Sequence, residues 1–343
     1  MTGFDTGREP GQPVLMNCIG PDGDSQGETA PLRTLMRSGG AIPGMAEAPA
    51  FLMSSPEPSS IPVLVAAPHG GRLYPASLVE RMRNPAFAAL RLEDRYVDRL
   101  AHAVAANTGA ALLVAQAPRA MIDLNRAADD VDWDMIVRGG GDGAPPAGGA
   151  LSGRRARSGL GLIPRRLPGI GELWKRRHDR AELDARITHV HEPYHNELSA
   201  MLAGLHARWG AALLLDLHSM PPLALRGAPA PEFVVGDRFG ATCSGTVTGA
   251  AFAWFAENRR PAAHNRPYAG GYVLERHARP KAGFHALQLE VDRSSYLDSR
   301  LAEPGSGFAA MVELLSGLVR RLAGEVAALG GSSPGQGWAE AAE

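Results

Sequence analysis

The chain of 343 residues has two cysteines, Cys18 and Cys243. Two thiols cannot build a disulfide framework or a thiolate zinc site, so the sequence points to histidine and carboxylate ligands if a metal is held. An excess of charge is also missing: 35 Lys and Arg face 36 Asp and Glu, a formal net charge of -1. Nucleic acids and anionic membrane surfaces require a basic footprint, so neither is an expected partner. There is no run of about 18 uninterrupted apolar residues, so no membrane span is expected. Residues 1–12 show no basic stretch followed by an apolar one. Without such a signal peptide, the expected location is cytoplasmic. Repeats, a GxxxxGK[ST] phosphate loop and a GxSxG elbow are absent as well. Residues 158–164 begin like GxGxxG but lack the last glycine and a preceding strand.

What is present is a 45% hydrophobic chain with 41 glycines and 27 prolines, able to bury a sizeable core. Residues 1–60, 139–153 and 330–343 hold 17, nine and five of those 68 Gly and Pro residues. The pattern predicts a flexible leader over 1–54, a single domain over 55–330, a mobile loop at 139–153 and a flexible tail over 331–343. Within the domain, short apolar runs alternate with helical periodicity, the signature of an α/β fold. Strands are expected at 61–67, 111–115, 120–124, 211–217 and 285–291. Helices are expected at 93–106, at 175–209 with a break or kink at Pro193, and at 308–329.

Three polar groups sit where those apolar strands end or expose a polar face. His69 follows the first strand, His218 follows the run 211–217, and Glu290 shares the polar face of 285–291 with Gln288. In open α/β sheets the functional crevice lies at the carboxyl ends of the strands. Two histidines delivered there could share a metal with a carboxylate, leaving a position for water. The plain alternative is two unrelated loop histidines, and spacing does not decide between them. Glu93 and Asp94 are the candidate carboxylates; either could instead serve as a helix N-cap. Asp216, two residues before His218, is placed to orient that histidine from behind. Arg126, in Arg119-Ala-Met-Ile-Asp-Leu-Asn-Arg126, could grip an acidic substrate or simply pair with Asp123. Asn265 to Tyr272 is a glycine turn consistent with a substrate loop.

Taken together, these segments resemble the N-formylglutamate amidohydrolase (N-formylglutamate deformylase) family. The resemblance rests on Pro68-His-Gly-Gly-Arg-Leu-Tyr-Pro75, Glu93-Asp94 with Tyr96-Val-Asp98, and Ile122-Asp-Leu-Asn-Arg126. It continues through Gly159-Leu-Gly-Leu-Ile-Pro-Arg165, Pro193-Tyr-His195, Leu215-Asp-Leu-His-Ser219, Gly270-Gly271 and His285-Ala-Leu-Gln-Leu-Glu-Val291. These pieces cover roughly 60–300 in the family's order. The resemblance implies a mixed, mostly parallel sheet flanked by helices, similar to the zinc carboxypeptidase-like (phosphorylase/hydrolase-like) fold. It implies Zn2+, or another divalent metal, held by His69, Asp94 and His218, with Asp94 favoured over Glu93. Glu290 would activate water and Arg126 would clamp a carboxylate or oxyanion. Arg119, Asn125, Gly270, Gly271 and His285 would contact substrate, a small acidic N-acyl amino acid. A zinc exopeptidase or N-acyl deacylase of other specificity, and an inactive binder of amino-acid derivatives, are the rival readings.

Overall fold

The computed structural model describes residues 33–45, 47–137, 156, 158–167, 169, 171–223 and 230–331. In chain order the strands are β1 (Arg33–Gly39), β2 (Phe51–Glu57), β3 (Val63–Ala67), β4 (Ala111–Ala115), β5 (Arg166–Leu167), β6 (Gly171–Glu172), β7 (Ala212–Met220), β8 (Phe233–Gly236), β9 (Ala262–His264) and β10 (Phe284–Asp292). The helices are α1 (Ala76–Arg81), α2 (Pro85–Leu92), α3 (Val97–Thr108), α4 (Arg180–Arg186), α5 (Glu192–Trp209), α6 (Gly245–Glu257), α7 (Tyr272–His277) and α8 (Phe308–Leu329).

Eight strands form one sheet in the order β1-β2-β4-β3-β7-β10-β8-β9, and β5 and β6 make a separate ribbon. The centre, β4-β3-β7-β10, is parallel; β1, β2 and β8 are joined antiparallel. This is the mixed, mostly parallel α/β sheet expected. Central parallel strands are covered on both faces, which is why β3 (VLVAA) and β4 (ALLVA) read as continuous apolar runs. Alternate residues enter opposite layers. Val63, Val65, Leu213, Leu215, Leu287 and Leu289 pack with α3, α6 and α8, whereas Leu64, Ala66, Leu214 and Ala286 pack with α5. The apolar face of α3, made by Val97, Leu100, Ala101 and Val104, is buried, and the helix stops at Gly109 in the left-handed region. No described helix is long and apolar enough to cross a membrane.

Five expectations need correction. The leader is too long as drawn, because Arg33–Gly39 and Phe51–Glu57 are paired strands of the main sheet; residues 1–32, the loop at 139–153 and residues 332–343 lie outside the described residues. Residues 120–124 are not a strand, because Asp123 folds its carboxylate back to the Asn125 N–H at 2.9 Å, a local turn that competes with extension. The helix expected at 93–106 begins only at Val97, and a separate helix, α2, ends just before Glu93. His218 lies inside β7 rather than after it. The helix expected from 175 begins only at Arg180, and residues 180–209 are α4, a widened π turn over Ile187–His191, and α5. Pro193 has no N–H to give the carbonyl of His189, four residues earlier, and that carbonyl accepts instead from the Ala41 N–H at 3.0 Å.

Leu214 is fully buried in the centre of β7. Replacing it with Ala removes buried methyl groups between two layers and is expected to cost ~2–5 kcal/mol. Urea unfolding measures this; a loss well under ~1 kcal/mol would contradict the packing described.

Candidate functional site

The site is assembled from the carboxyl ends of β3, β7 and β10. His69 sits in the tight turn after β3, where there is no space for side chains behind it. A Cβ on Gly71 would lie 2.1 Å from the Ala117 carbonyl oxygen, and one on Gly70 would lie 2.9 Å from the Asp98 Cβ. Asp94 lies between α2 and α3, tied to the same turn by its N–H to the His69 carbonyl at 3.0 Å. His218 on β7 is in direct register with Glu290 on β10, as Asp216 is with Gln288, so all four face the same way.

Three ligand atoms, one each from His69, Asp94 and His218, lie within 4.8 Å of one another, and all three residues are buried. His218 Nδ1 is 3.0 Å from Asp94 Oδ2 and His69 Nδ1 is 3.6 Å from it. On the far side of each ring a second carboxylate waits: His69 Nε2 is 2.7 Å from Asp123 Oδ1, and His218 Nε2 is 2.9 Å from Asp216 Oδ2. Carboxylates only accept, so each Nε2 donates its N–H to the carboxylate behind it, and Nδ1 is the nitrogen left facing Asp94. This carboxylate–imidazole pairing is how metal-bound histidines are usually oriented. His69 Nδ1 makes no hydrogen bond among the described residues although it is buried. A buried acceptor without a donor is costly, and two nitrogens with one carboxylate oxygen suit a divalent ion of the zinc type. The residues fit such an ion.

Charges support the geometry. Burial alone would raise the Asp94 carboxyl, but the imidazoles of His218 and His69 more than reverse this and hold it well below the usual range. Burial would lower His218, but Asp216 and Asp94 raise it well above the ordinary imidazole value. Arg293 fixes the other Asp94 oxygen, Oδ1, at 3.1 Å, and also donates to the Glu93 carbonyl at 2.6 Å. The carboxylate of Glu93 itself points to Arg95 at 2.8 Å. The structure therefore brings Asp94, not Glu93, to the histidines.

Around this cluster lie most of the other predicted residues. Burial pushes the Glu290 carboxyl up to about 7, with His218 opposing the shift and Asp94 adding to it. Glu290 accepts from Gln288 Nε2 at 2.9 Å, while Gln288 Oε1 accepts from the Gly271 N–H at 3.1 Å and from Asn125 Nδ2 at 3.3 Å. Asn125 Oδ1 takes the Val273 N–H at 2.9 Å. A Cβ on Gly271 would fall 2.3 Å from that same oxygen, so the position needs glycine. Gly270 turns the chain at φ +105°, a left-handed conformation that favours glycine. Arg119 donates to Asp123 Oδ2 at 2.9 Å, whereas Arg126 lies 4.0 Å from it and directs Nε to the Leu160 carbonyl and Nη1 to the Asn125 carbonyl. The close Arg–Asp pair is thus Arg119–Asp123. His285 is not brought to the site. It lies five residues, about 16 Å, before Glu290 on the opposite face of β10. There it faces the Ser244 N–H and a cavity of about 540 Å³ shared with Gly210 and Lys281.

Sequence reasoning missed three partners. Asp123 was noticed only beside Arg126, not as the orienter of His69. Gln288 was visible on the polar face of β10 next to Glu290, which was its signal. Arg293 carries none, being far from Asp94 in sequence.

The family model for N-formylglutamate amidohydrolase matches residues 61–297, which contain every residue of the cluster. The chain belongs to the N-formylglutamate amidohydrolase family. Among its relatives are N-formylglutamate deformylases of Pseudomonas aeruginosa, 29% identical over 76% of this chain and 91% of the relative, and of Pseudomonas putida, 29% identical over 69% and 82%. The fold is similar to that of the N-formylglutamate amidohydrolase from Ralstonia eutropha JMP134, with a TM-score of 0.71 and 32% identity over 81% of this chain and 98% of that one. A gene product of Agrobacterium tumefaciens, 15% identical over 82% of this chain and 96% of its own length, shares the fold at a TM-score of 0.56. The geometry of this member generates one direct expectation. Metal analysis of purified protein should find about one divalent ion per chain, lost in Asp94→Asn and kept in Glu93→Gln; retention in the first variant would remove Asp94 from the ligand set.

Proposed function

We propose that this chain is a metal-dependent amidohydrolase that cleaves the amide of N-formylglutamate, or a closely similar N-acyl amino acid, to the free amino acid and formate or the corresponding acid. The observation that carries the reading is the buried His69–Asp94–His218 cluster with the Glu290 carboxylate on the same face of the neighbouring strand. The family and the names of the relatives direct it toward a formylated acidic amino acid.

His69, Asp94 and His218 would hold the ion, with zinc as the proposed metal. A zinc ion there supplies Lewis-acid polarisation of a carbonyl and a water of lowered pKa, ~7. Glu290, with a carboxyl raised toward neutrality, is suited to take a proton from the attacking water and to return it to the departing amine. Gln288 donates from Nε2 to Glu290 Oε1, which fixes the base on the face it shares with His218. Arg126 serves as the clamp for a substrate carboxylate, holding the amide carbon in place so that binding is converted into orientation. Asp123 and Asp216 keep the two imidazoles in one tautomer and one rotation.

Glu290→Gln is expected to keep the metal and to lower kcat for formate release from N-formylglutamate by ~10²–10⁴-fold, the usual contribution of a positioned base. Chelation of the wild-type protein should abolish turnover, and added zinc should restore it. Full activity of the metal-loaded variant would remove Glu290 from the mechanism.

A further inference from the structure

Behind the Asn125 turn lies a buried column of histidines that the chemistry above does not use. His195 on α5 contacts the Leu124 carbonyl through Nε2 at 3.0 Å and His277 Nε2, on α7, through Nδ1 at 2.9 Å. His277 Nδ1 faces the Ser199 hydroxyl at 3.2 Å. One turn of helix earlier, His191 Nε2 reaches the Arg126 carbonyl at 2.8 Å.

The direction of the bonds through His195 follows from the Leu124 carbonyl. A carbonyl only accepts, so His195 Nε2 is the protonated nitrogen and its Nδ1 is a lone pair. His277 Nε2 must then donate to it, which leaves His277 Nδ1 as a lone pair 3.2 Å from the Ser199 hydroxyl, whose one proton also lies within reach of the His195 carbonyl at 3.0 Å. The two imidazole planes are 15° apart with ring centres separated by 5.2 Å. Nearly coplanar rings at that separation suit an in-plane N–H···N bond better than face-to-face stacking. Burial lowers the pKa of both rings, His195 well below its ordinary value and His277 to about 3, so both stay neutral and the pattern persists at physiological pH.

The column ties together two segments that approach the cluster separately. On one side His195 and His191 pin the carbonyls of Leu124 and Arg126, the two neighbours of Asn125. On the other, His277 belongs to α7, whose start supplies the Gly271 N–H to Gln288 and the Val273 N–H to Asn125. Gln288 in turn holds Glu290. An apolar residue at 195 could fill the volume, but it would leave the Leu124 carbonyl without its donor and cut the tie to α7.

We propose that His195 is a positioning residue: braced between the Leu124 carbonyl and His277, it sets the spacing of the Asn125–Arg126 turn against the start of α7, and so the placement of Asn125, Gln288 and Arg126 around the reacting amide. This rests on the hydrolase reading of the cluster. Misplacement of reacting groups by ~1 Å can cost ~10²-fold in rate, so a brace of this kind acts on turnover.

The test compares wild type, His195→Leu, His195→Gln and His277→Phe, each purified and zinc-loaded, by zinc content, Tm, and kcat and KM for formate release from N-formylglutamate well below Tm. His195→Leu and His277→Phe should retain zinc and lose at least ~10-fold in kcat per bound zinc, with KM changed less than kcat. His195→Gln, which keeps an N–H for the Leu124 carbonyl, should recover part of that loss. If His195→Leu does not fold, His277→Phe cuts the same brace from the α7 side. Wild-type kcat per bound zinc in the variants that fold, even with a lower Tm, would overturn the proposal and leave His195 a packing residue. Imidazole 15N NMR of the wild type separates this from the function itself. His195 should show a single Nε2–H tautomer and His277 likewise, whichever substrate is turned over. Averaging between tautomers would overturn the brace, whereas no turnover of any N-formyl amino acid by zinc-loaded wild type would overturn the hydrolase reading alone.

Discussion

A carboxylate almost wholly removed from water, Asp94, stands between two imidazoles that arrive from different strands, and the surrounding structure depends on that arrangement. An isolated buried charge of this kind would be strongly unfavourable. It is held because His218 and His69 face one oxygen and Arg293 takes the other. Each imidazole in turn is backed by its own buried carboxylate, and Asp123 is itself neutralised by Arg119. The result is a nested set of pairs in which removal of one member leaves another unpaired in a dry interior. A cation placed among the three inner atoms would satisfy the histidine nitrogen that otherwise has no donor.

The sheet explains why the pairs can be held so closely. Parallel register between β7 and β10 sets Asp216 beside Gln288 and His218 beside Glu290 without any loop to adjust. Sites built on strands inherit the rigidity of the sheet. The turn at 123–126 and the glycine segment before α7, which the proposed function assigns to substrate contact, are short, and both are fastened to the same glutamine and to the histidine column behind them.

Much of this was legible in the sequence, and the reasons are physical. The strands β3, β4 and β7 announce themselves because burial on both faces demands unbroken apolar runs, and α3 and α8 do so through helical periodicity. His69 and His218 could be singled out as polar residues at the limits of such runs. Strands β1 and β2, at one side of the sheet, were hidden: β2 ends in Ser54-Ser55-Pro56-Glu57, and β1, at the edge, pairs among the described residues with β2 alone. Residues 120–124 misled because a run can be apolar simply by being buried; Met121, Ile122 and Leu124 belong to the core while Asp123 bends the backbone. The family resemblance placed His285 with the substrate residues, yet its odd separation from Glu290 puts the two on opposite faces of β10 and five residues put them toward opposite ends. Arg293 and the backing of His69 by Asp123 depend on contacts between distant segments, which no local pattern records.

The central claim is that the two Nδ1 atoms and one carboxylate oxygen form a single metal site. The most direct measurement is a crystal structure of the zinc-loaded protein with anomalous data at the zinc edge. The account predicts one peak bonded to His69 Nδ1, His218 Nδ1 and Asp94 Oδ2 at ~2.0–2.2 Å, with Asp123 and Asp216 still on the Nε2 atoms. A peak elsewhere, or coordination through either Nε2, would contradict it.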